Sequence, residues 1–345
     1  MLLNSRGLLS EIGLILNVIK LVLEVVEERE DRMSQAKVDA CLNHIEQVII
    51  GKRDIAQLSL TALLAGGHVL LEDVPGVGKT MLVRALAKTL GCHFSRIQFT
   101  PDLLPTDVTG VSVFNPKTQQ FEYRKGPIVG DIVLADEINR TSPKTQSALL
   151  EAMEESSVTV DGQTIKIDQP FFVMATQNPI EYEGTYPLPE AQLDRFLMKL
   201  EMGYPTLKEE IQLMNLNKNH KPIEDLAALL SKDDVVTMQQ EVEAIHVDQT
   251  IQTYIVKLAH ATRGFAGVKL GVSPRGAISM MQAAKALSYT KGRTYVLPDD
   301  VLYLMPYVWS HRLILTDRGL YEGLTPVTVL KAVSETVDVP LRRDA

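Results

Sequence analysis

The chain has 345 residues, of which 45% are hydrophobic and 23% are charged, and 35 Lys+Arg against 43 Asp+Glu give a net charge of -8. This composition is typical of a globular protein of one or two domains and excludes a disordered or collagen-like chain. The net acidity provides no general attraction to phosphate backbones, so we expect no nucleic-acid partner. Cys41 and Cys92 lie outside any metal-binding motif and cannot build a disulfide framework, which indicates a reducing, cytoplasmic compartment and no structural zinc.

Residues 1–32 are predicted to be an amphipathic N-terminal extension. Apolar residues recur at helical spacing from Leu8 to Val26, and three charged residues interrupt the run: Glu11, Lys20 and Glu24. Because a charge near the centre of a membrane span is costly, we expect no stable membrane insertion. Two interpretations stay open. The segment is either a helix that packs, docks a partner or touches a membrane surface, or it lies upstream of a natural start at Met33.

Residues 33–204 are predicted to form an α/β domain. Periodic and continuous apolar runs predict, in chain order, helices at 38–50 and 55–64, a strand at 68–71, a helix at 80–90, and strands at 132–135 and 171–175. Unalternated strands separated by helices are typical of a parallel sheet that is covered on both faces. Two further segments, 111–123 and 158–167, are predicted hairpins.

Residues 205–345 are predicted to form a second, all-helical domain. Helical patterns cover 207–216, 249–262, 274–289 and 298–309, and no strand runs comparable to those of the first domain occur between them.

The predicted strand at 68–71 leads into a loop with the pattern of a phosphate-binding loop. The loop consists of Pro75, Gly76, Val77, Gly78, Lys79 and Thr80, and a predicted helix follows it. The glycines let backbone N–H groups approach phosphate oxygens, and the helix N-terminus adds the positive end of its dipole. Lys79 would reach the β- and γ-phosphates, and the Thr80 hydroxyl would coordinate Mg²⁺. The usual first glycine of the pattern is replaced by Asp73, whose carboxylate would repel phosphate unless it points away.

An acidic pair follows the predicted strand at 132–135. Carboxylates at the C-terminal end of a parallel strand lie at the sheet edge where open α/β folds bind ligands. Asp136 would help to hold hydrated Mg²⁺, and Glu137 would polarise the attacking water as general base. The alternative for the pair alone is a helix-capping role.

Three further polar residues are candidates for contacting the γ-phosphate or the attacking water. Asn178 follows the strand at 171–175 and could hold the attacking water, although an Asn-Pro turn alone would explain it. Arg195 could act on phosphate or form a surface pair with Asp194. Arg275 lies in the first turn of a predicted helix capped by Ser273, where a cation opposes the helix dipole, so a bound phosphate or simple solvation would account for it.

Together these motifs resemble those of AAA+ ATPases, and specifically those of the MoxR family, from about Met33 to the C-terminus. The stretches 136–140, 175–179 and 188–196 are characteristic of MoxR proteins. The resemblance implies an AAA+ P-loop αβα sandwich with a parallel sheet, followed by an all-α lid domain. It assigns Asn178 as sensor 1, Arg195 as arginine finger and Arg275 as sensor 2, and it lays Ile50 and Gly51 against the adenine of ATP.

The resemblance also implies how the protein works. It implies a homo-oligomeric ring, a hexamer, that binds ATP and Mg²⁺ at subunit interfaces, with Arg195 acting in trans on the neighbour's nucleotide. An arginine finger is worth about 10³–10⁵ in rate. The implied activity is chaperone-like remodelling of a protein client, often with a partner that carries a von Willebrand A domain.

Three other functions stay open at this point. One is a nucleotide-gated scaffold with negligible turnover, against which Glu137 and Arg195 argue. Another is a nucleic-acid motor, against which the net charge of -8 argues. The third is a magnesium-chelatase-like motor subunit, which shares the pattern of hairpin inserts and would require a large partner subunit.

Overall fold

The structure is a computed structural model that describes residues 35–178, 184–216 and 222–340. The predicted extension at 1–32 lies outside the described residues. Helix α1 covers residues 35–46, and the α/β part continues with α2 (Arg53–Leu64), β1 (Val69–Glu72), α3 (Lys79–Thr89), β2 (Phe94–Gln98), α4 (Pro105–Thr109), β3 (Gly110–Asn115), β4 (Gln120–Lys125), β5 (Ile132–Asp136), α5 (Pro143–Glu155), β6 (Ser157–Val160), β7 (Gln163–Lys166), β8 (Phe172–Gln177), α6 (Glu190–Leu193) and β9 (Met198–Leu200).

Five of these strands form one parallel sheet in the order β2-β5-β8-β1-β9. Alternate residues of the central strands enter two different buried clusters. Leu70 and Val133 pack with α5, whereas Leu71 and Leu134 pack with α1, α2 and α3. The sheet is therefore buried on both faces, and the predicted αβα sandwich with its parallel sheet is confirmed. Parallel strands align their C-terminal ends, so the loops that follow β1, β5 and β8 meet at one edge.

Both predicted hairpins are present. Strands β3 and β4 pair antiparallel, as do β6 and β7. The tip of the first hairpin carries Phe114 opposite Phe121, and their rings contact edge to face with centroids 5.4 Å apart. Asp161 and Gly162 make the turn of the second hairpin, both with positive φ.

The C-terminal part is helical, as predicted. It contains α7 (Leu207–Leu216), α8 (Pro222–Asp225), α9 (Lys232–Ala244), α10 (Gln249–Arg263), α11 (Pro274–Thr290), α12 (Pro298–Trp309), α13 (Asp317–Tyr321) and α14 (Pro326–Thr336). Helices α8, α9, α13 and α14 lie outside the four predicted helical segments. The structure also adds a short antiparallel pair that the sequence did not predict, β10 (Val268–Leu270) with β11 (Ile314–Leu315). Among the described residues, none of the helices has the length and apolar character that a membrane crossing requires.

One predicted boundary is wrong. The helix predicted over 38–50 ends at residue 46, and residues 47–51 form turns. Gly51 has a φ of 73°, a conformation that glycine adopts readily and other residues rarely adopt. Ile50 and Gly51 therefore lie in the turn between α1 and α2 rather than at a helix end.

Candidate nucleotide site

The phosphate-loop residues connect the C-terminal end of β1 to α3. Gly76 and Gly78 have φ values of 88° and 99°, and Gly78 is the N-cap of α3, which begins at Lys79. A Cβ atom at Gly76 would meet no heavy atom within 4 Å, so the loop backbone faces open space. A helix N-terminus behind an open, glycine-rich loop fits a phosphate chain.

Asp73 does not point into this loop. Its Oδ1 accepts a hydrogen bond from the backbone N–H of Val74 at 2.8 Å, and its Oδ2 accepts one from the N–H of Gly203 at 2.6 Å. Both carboxylate oxygens are therefore engaged by backbone donors. The sequence condition for phosphate binding, that the carboxylate point away, is met.

Lys79 lies among the acidic groups of the site. Its Nζ donates a hydrogen bond to the backbone oxygen of Asp73 at 2.7 Å. Burial lowers the pKa of the Lys79 ammonium below its usual value, and the negative charges of Asp73, Asp136 and Glu137 act in the opposite direction. The phosphate loop and the acidic pair are thus brought to the same edge of the sheet.

The acidic pair is joined by a residue whose role the sequence did not reveal. Thr176 on β8 donates a hydrogen bond from Oγ1 to Oδ1 of Asp136 at 2.6 Å, and the same Oγ1 accepts one from the backbone N–H of Glu137 at 2.9 Å. Thr176 is 1% exposed. Glu137 has a φ of 59°, in the left-handed region that is strained for a residue with a side chain. The threonine hydroxyl therefore fixes the backbone that aims Glu137.

Strand β2 supplies two more partners that the sequence analysis missed. Arg96 forms an ion pair with Oδ2 of Asp136 at 2.7 Å, and Gln98 donates to Oε2 of Glu137 at 2.9 Å. Arg96 and Gln98 are two residues apart, so they lie on the same face of β2 beside β5. In the sequence, only the spacing of Arg96 and Gln98 could have indicated these two partners. That spacing is informative only when β2 is known to lie beside β5, and the sequence did not predict β2.

Asn178 and the turn with Ile50 and Gly51 lie at two separate places near this edge of the sheet. Asn178 follows β8, is 7% exposed, and accepts a hydrogen bond on its backbone oxygen from Nδ2 of Asn139 at 3.4 Å. Gly51 lies against the side chain of Glu209. Next to it, Nζ of Lys52 donates to the backbone oxygen of Met202 at 2.6 Å. The turn that contains Ile50 and Gly51 is thereby tied to the chain that follows β9.

Arg195 and Arg275 lie together, and away from the phosphate loop of their own chain. Both pair with one carboxylate, that of Glu154 at the end of α5: Arg195 with Oε2 at 3.0 Å and Arg275 with Oε1 at 3.2 Å. They line a pocket with His68, which immediately precedes β1, whereas Lys79 follows the opposite end of that strand.

The contacts of both arginines differ from the alternatives that the sequence left open, because each arginine pairs with Glu154. Arg195 pairs with Glu154, whereas Asp194, which was considered as its alternative partner, pairs with Arg312 at 2.6 Å. Ser273 is the N-cap of α11, as predicted, and accepts from the N–H of Gly276 at 3.0 Å. Glu154 supplies the negative charge that offsets the unfavourable position of Arg275 in the first turn of this helix.

Comparisons with known proteins agree with this geometry. Residues 68–198 match the ATPase family associated with various cellular activities (AAA), and residues 260–331 match the AAA lid domain. A crystal structure of a protein from Cytophaga hutchinsonii, provisionally designated an ATPase, superposes with a TM-score of 0.85 at 36% identity and covers 93% of this chain and 100% of its own. Fold and site together define an AAA+ ATPase with a helical lid.

Similar sequences identify the family within this class. Chaperone MoxR1 of Mycobacterium tuberculosis is 41% identical over 88% of this chain and 82% of its own length, and Protein MoxR of Methylorubrum extorquens is 30% identical over 86% and 93%. Protein YeaC of Bacillus subtilis, whose name states no function, is 60% identical over 88% and 95%. The chain belongs to the MoxR family of AAA+ ATPases, which bind ATP, typically with Mg²⁺.

Proposed function

We propose that this protein hydrolyses ATP at the edge formed by β1, β5 and β8, with each predicted site residue in its predicted role. The observation that carries the proposal is the placement of the phosphate loop after β1 and of Asp136 and Glu137 at the end of β5, on the same edge of one parallel sheet. The two carboxylates act to raise the pKa of Lys79 against the effect of its burial. Lys79 and the backbone of residues 75–80 bind the phosphates. Glu137 accepts the proton of the attacking water, and Asn178 orients that water.

Magnesium fits the oxygen donors that this edge offers. The Thr80 hydroxyl and the Asp136 carboxylate are hard oxygen ligands of the kind that Mg²⁺ prefers, together with waters and substrate phosphates. When bound, Mg²⁺ neutralises charge that develops on the phosphate oxygens. Thr176 holds Asp136 in place through the hydrogen bond at 2.6 Å, and Ile50 and Gly51 lie against the adenine.

We further propose that Arg195 and Arg275 act on the nucleotide of a neighbouring subunit in a homo-oligomeric ring, a hexamer by family resemblance. Their shared contact with Glu154 and their position at the end of β1 opposite Lys79 support action in trans. An arginine supplied by the neighbour makes hydrolysis depend on assembly.

In this proposal, ATP hydrolysis drives the remodelling of a protein client. A relative that is 41% identical bears the name chaperone, which supports this part of the proposal. We also propose the division into a nucleotide-binding domain over 33–204 and a lid over 205–345. A von Willebrand A domain partner rests on family resemblance alone.

The test compares ATP turnover and ATP binding for three variants. Lys79→Ala loses both. Glu137→Gln keeps binding and loses about 10²–10⁴-fold in turnover, the usual contribution of a general base. Arg195→Ala keeps binding and loses about 10³–10⁵-fold. Arg318→Gln serves as control, because Arg318 is 87% exposed and pairs only locally with Glu322. Full turnover in Glu137→Gln would overturn the proposal.

A further inference from the structure

One arginine outside the proposed site is buried against the segment that carries Arg195. The side chain of Arg312, in the turn after α12, is 2% exposed. Its Nε donates to Oδ1 of Asp194 at 2.6 Å. Its two terminal nitrogens donate to the backbone oxygens of Asp194, Phe196 and Leu197 at 3.2, 2.8 and 3.2 Å. The guanidinium therefore binds the chain on both sides of Arg195.

The same carboxylate also contacts the helix that carries Arg275. The Ser273 hydroxyl, which caps α11, donates to Oδ2 of Asp194 at 3.3 Å. Arg312 itself donates to the Ser279 hydroxyl of α11 at 3.4 Å. Asp194 and Arg312 thus join the Arg195 segment to the start of α11, so that both arginines meet at Glu154.

This segment has little regular structure of its own. Helix α6 has four residues and ends before Asp194, and β9 begins only at Met198. Between them, single turn-type hydrogen bonds hold the backbone, such as the one from the N–H of Arg195 to the oxygen of Gln192 at 3.2 Å, and the contacts of Arg312 add to these few bonds. A charge-assisted donor with a rigid fork of N–H groups is suited to fix several carbonyls at once.

We propose that Arg312 is a positioning residue for Arg195, which holds segment 194–197 on the lid so that the arginine reaches the neighbour's nucleotide. This inference rests on the proposed action of Arg195 in trans. It predicts that turnover requires Arg312 only in the subunit that donates Arg195 to its neighbour. A displacement of about 1 Å at a catalytic contact can cost about 100-fold in rate, so we expect a loss of about 10–100-fold at interfaces whose donor lacks Arg312.

The experiment mixes two inactive full-length variants. Glu137→Gln subunits cannot hydrolyse ATP but donate an intact Arg195, and Arg195→Ala subunits can hydrolyse only at an interface with such a donor. Restored turnover in the mixture supports action in trans, and no restoration would overturn the proposed action of Arg195 on a neighbouring subunit. Arg312→Gln is then added to one partner at a time. The inference is supported if turnover is lost when the Glu137→Gln subunit carries Arg312→Gln and is kept when the Arg195→Ala subunit carries it.

Two outcomes would overturn it while the proposed function stands. One is unchanged restoration with Arg312→Gln in the donor, and the other is equal loss with Arg312→Gln in either partner, which would show a general structural role. Asp194→Asn is tested in the same two placements, because Asp194 is 23% exposed and its loss disturbs packing less. It must show the same dependence on placement. Arg318→Gln in either partner is the matched control and must leave restoration unchanged.

Discussion

The carboxylate of Asp73 accepts a hydrogen bond from the backbone N–H of Gly203, with 2.6 Å between Oδ2 and N. This contact ties the start of the phosphate loop to the chain that follows β9. It explains how an acidic residue is accommodated where the general pattern has glycine, since the charge is bound by backbone donors rather than directed at phosphate.

Asp73→Gly is therefore expected to weaken ATP binding, although it restores the usual pattern. Hydrogen bonds to a charged group are worth about 1.5–3 kcal/mol each, and both the N–H of Val74 and that of Gly203 lose their acceptor. Affinity measured with a fluorescent ATP analogue should fall about tenfold. Tighter binding in Asp73→Gly would show that the carboxylate repels phosphate after all.

Thr176→Val is expected to reduce turnover while nucleotide binding is largely retained. The substitution keeps the shape of the side chain but removes the hydroxyl that binds Asp136 and the N–H of Glu137. A buried donor left without a partner costs about 1–3 kcal/mol, so the backbone that aims Glu137 should relax. We expect kcat to fall about 10–100-fold. Thr176→Ser keeps the hydroxyl and is the control, and equal activity of both variants would contradict the role of this hydrogen bond.

Arg96→Gln is expected to strengthen magnesium binding. Arg96 pairs with Asp136, a proposed Mg²⁺ ligand, and therefore competes with the metal for that carboxylate. Because the Arg96 side chain is 47% exposed, the free energy of this ion pair is modest. Exposed ion pairs are worth about 0–1 kcal/mol, which limits the gain to about fivefold in the Mg²⁺ concentration for half-maximal ATPase. Arg124→Gln on β4 is a control of the same type outside the site. A higher Mg²⁺ requirement in Arg96→Gln would mean that the arginine supports the metal site instead.

Because His68 is buried in its neutral form, we expect the free energy of unfolding to fall in mild acid. Its Nδ1 accepts from the N–H of Val173 at 3.0 Å, so the protonated Nε2 donates to the backbone oxygen of Met153 at 3.1 Å. Burial lowers the pKa of His68 from 6.5 to about 4. Its contribution is fully present above pH 6.5. It is lost as the pH falls toward 4, because the unfolded chain then binds a proton that the folded chain does not.

The expected loss is about 3 kcal/mol when the pH falls from 6.5 to 4, of which about 2 kcal/mol appears between pH 7 and pH 5. Urea unfolding of wild type and His68→Gln at pH 7 and pH 5 measures it. Glutamine can accept and donate the same two hydrogen bonds without titrating, so His68→Gln should lose less stability between the two pH values. Identical pH dependence in the two proteins would contradict the assignment.

The central sheet could be predicted because β1, β5 and β8 are buried on both faces and form continuous apolar runs. Strand β2 lies at the sheet edge and leaves Arg96 and Gln98 exposed, so its pattern lacks that signal. Strand β9 has only three residues. Short or half-exposed strands bury too few apolar residues to be distinguished from loops.

The positions of the phosphate loop and the acidic pair could also be predicted, because each directly follows a strand. The partners that fix them could not. Arg312 and Asp194 are separated by 118 residues, and Thr176 and Asp136 by 40. Such pairs depend on tertiary packing, so no local spacing reveals them.

The action of Arg195 in trans is tested most directly by ATP turnover per subunit as a function of protein concentration, with the assembly state measured in the same samples. If Arg195 completes the site of a neighbour, turnover per subunit should rise with the oligomeric fraction and fall toward zero when the protein is diluted to monomers. Constant turnover per subunit down to the monomer would contradict the action of Arg195 in trans.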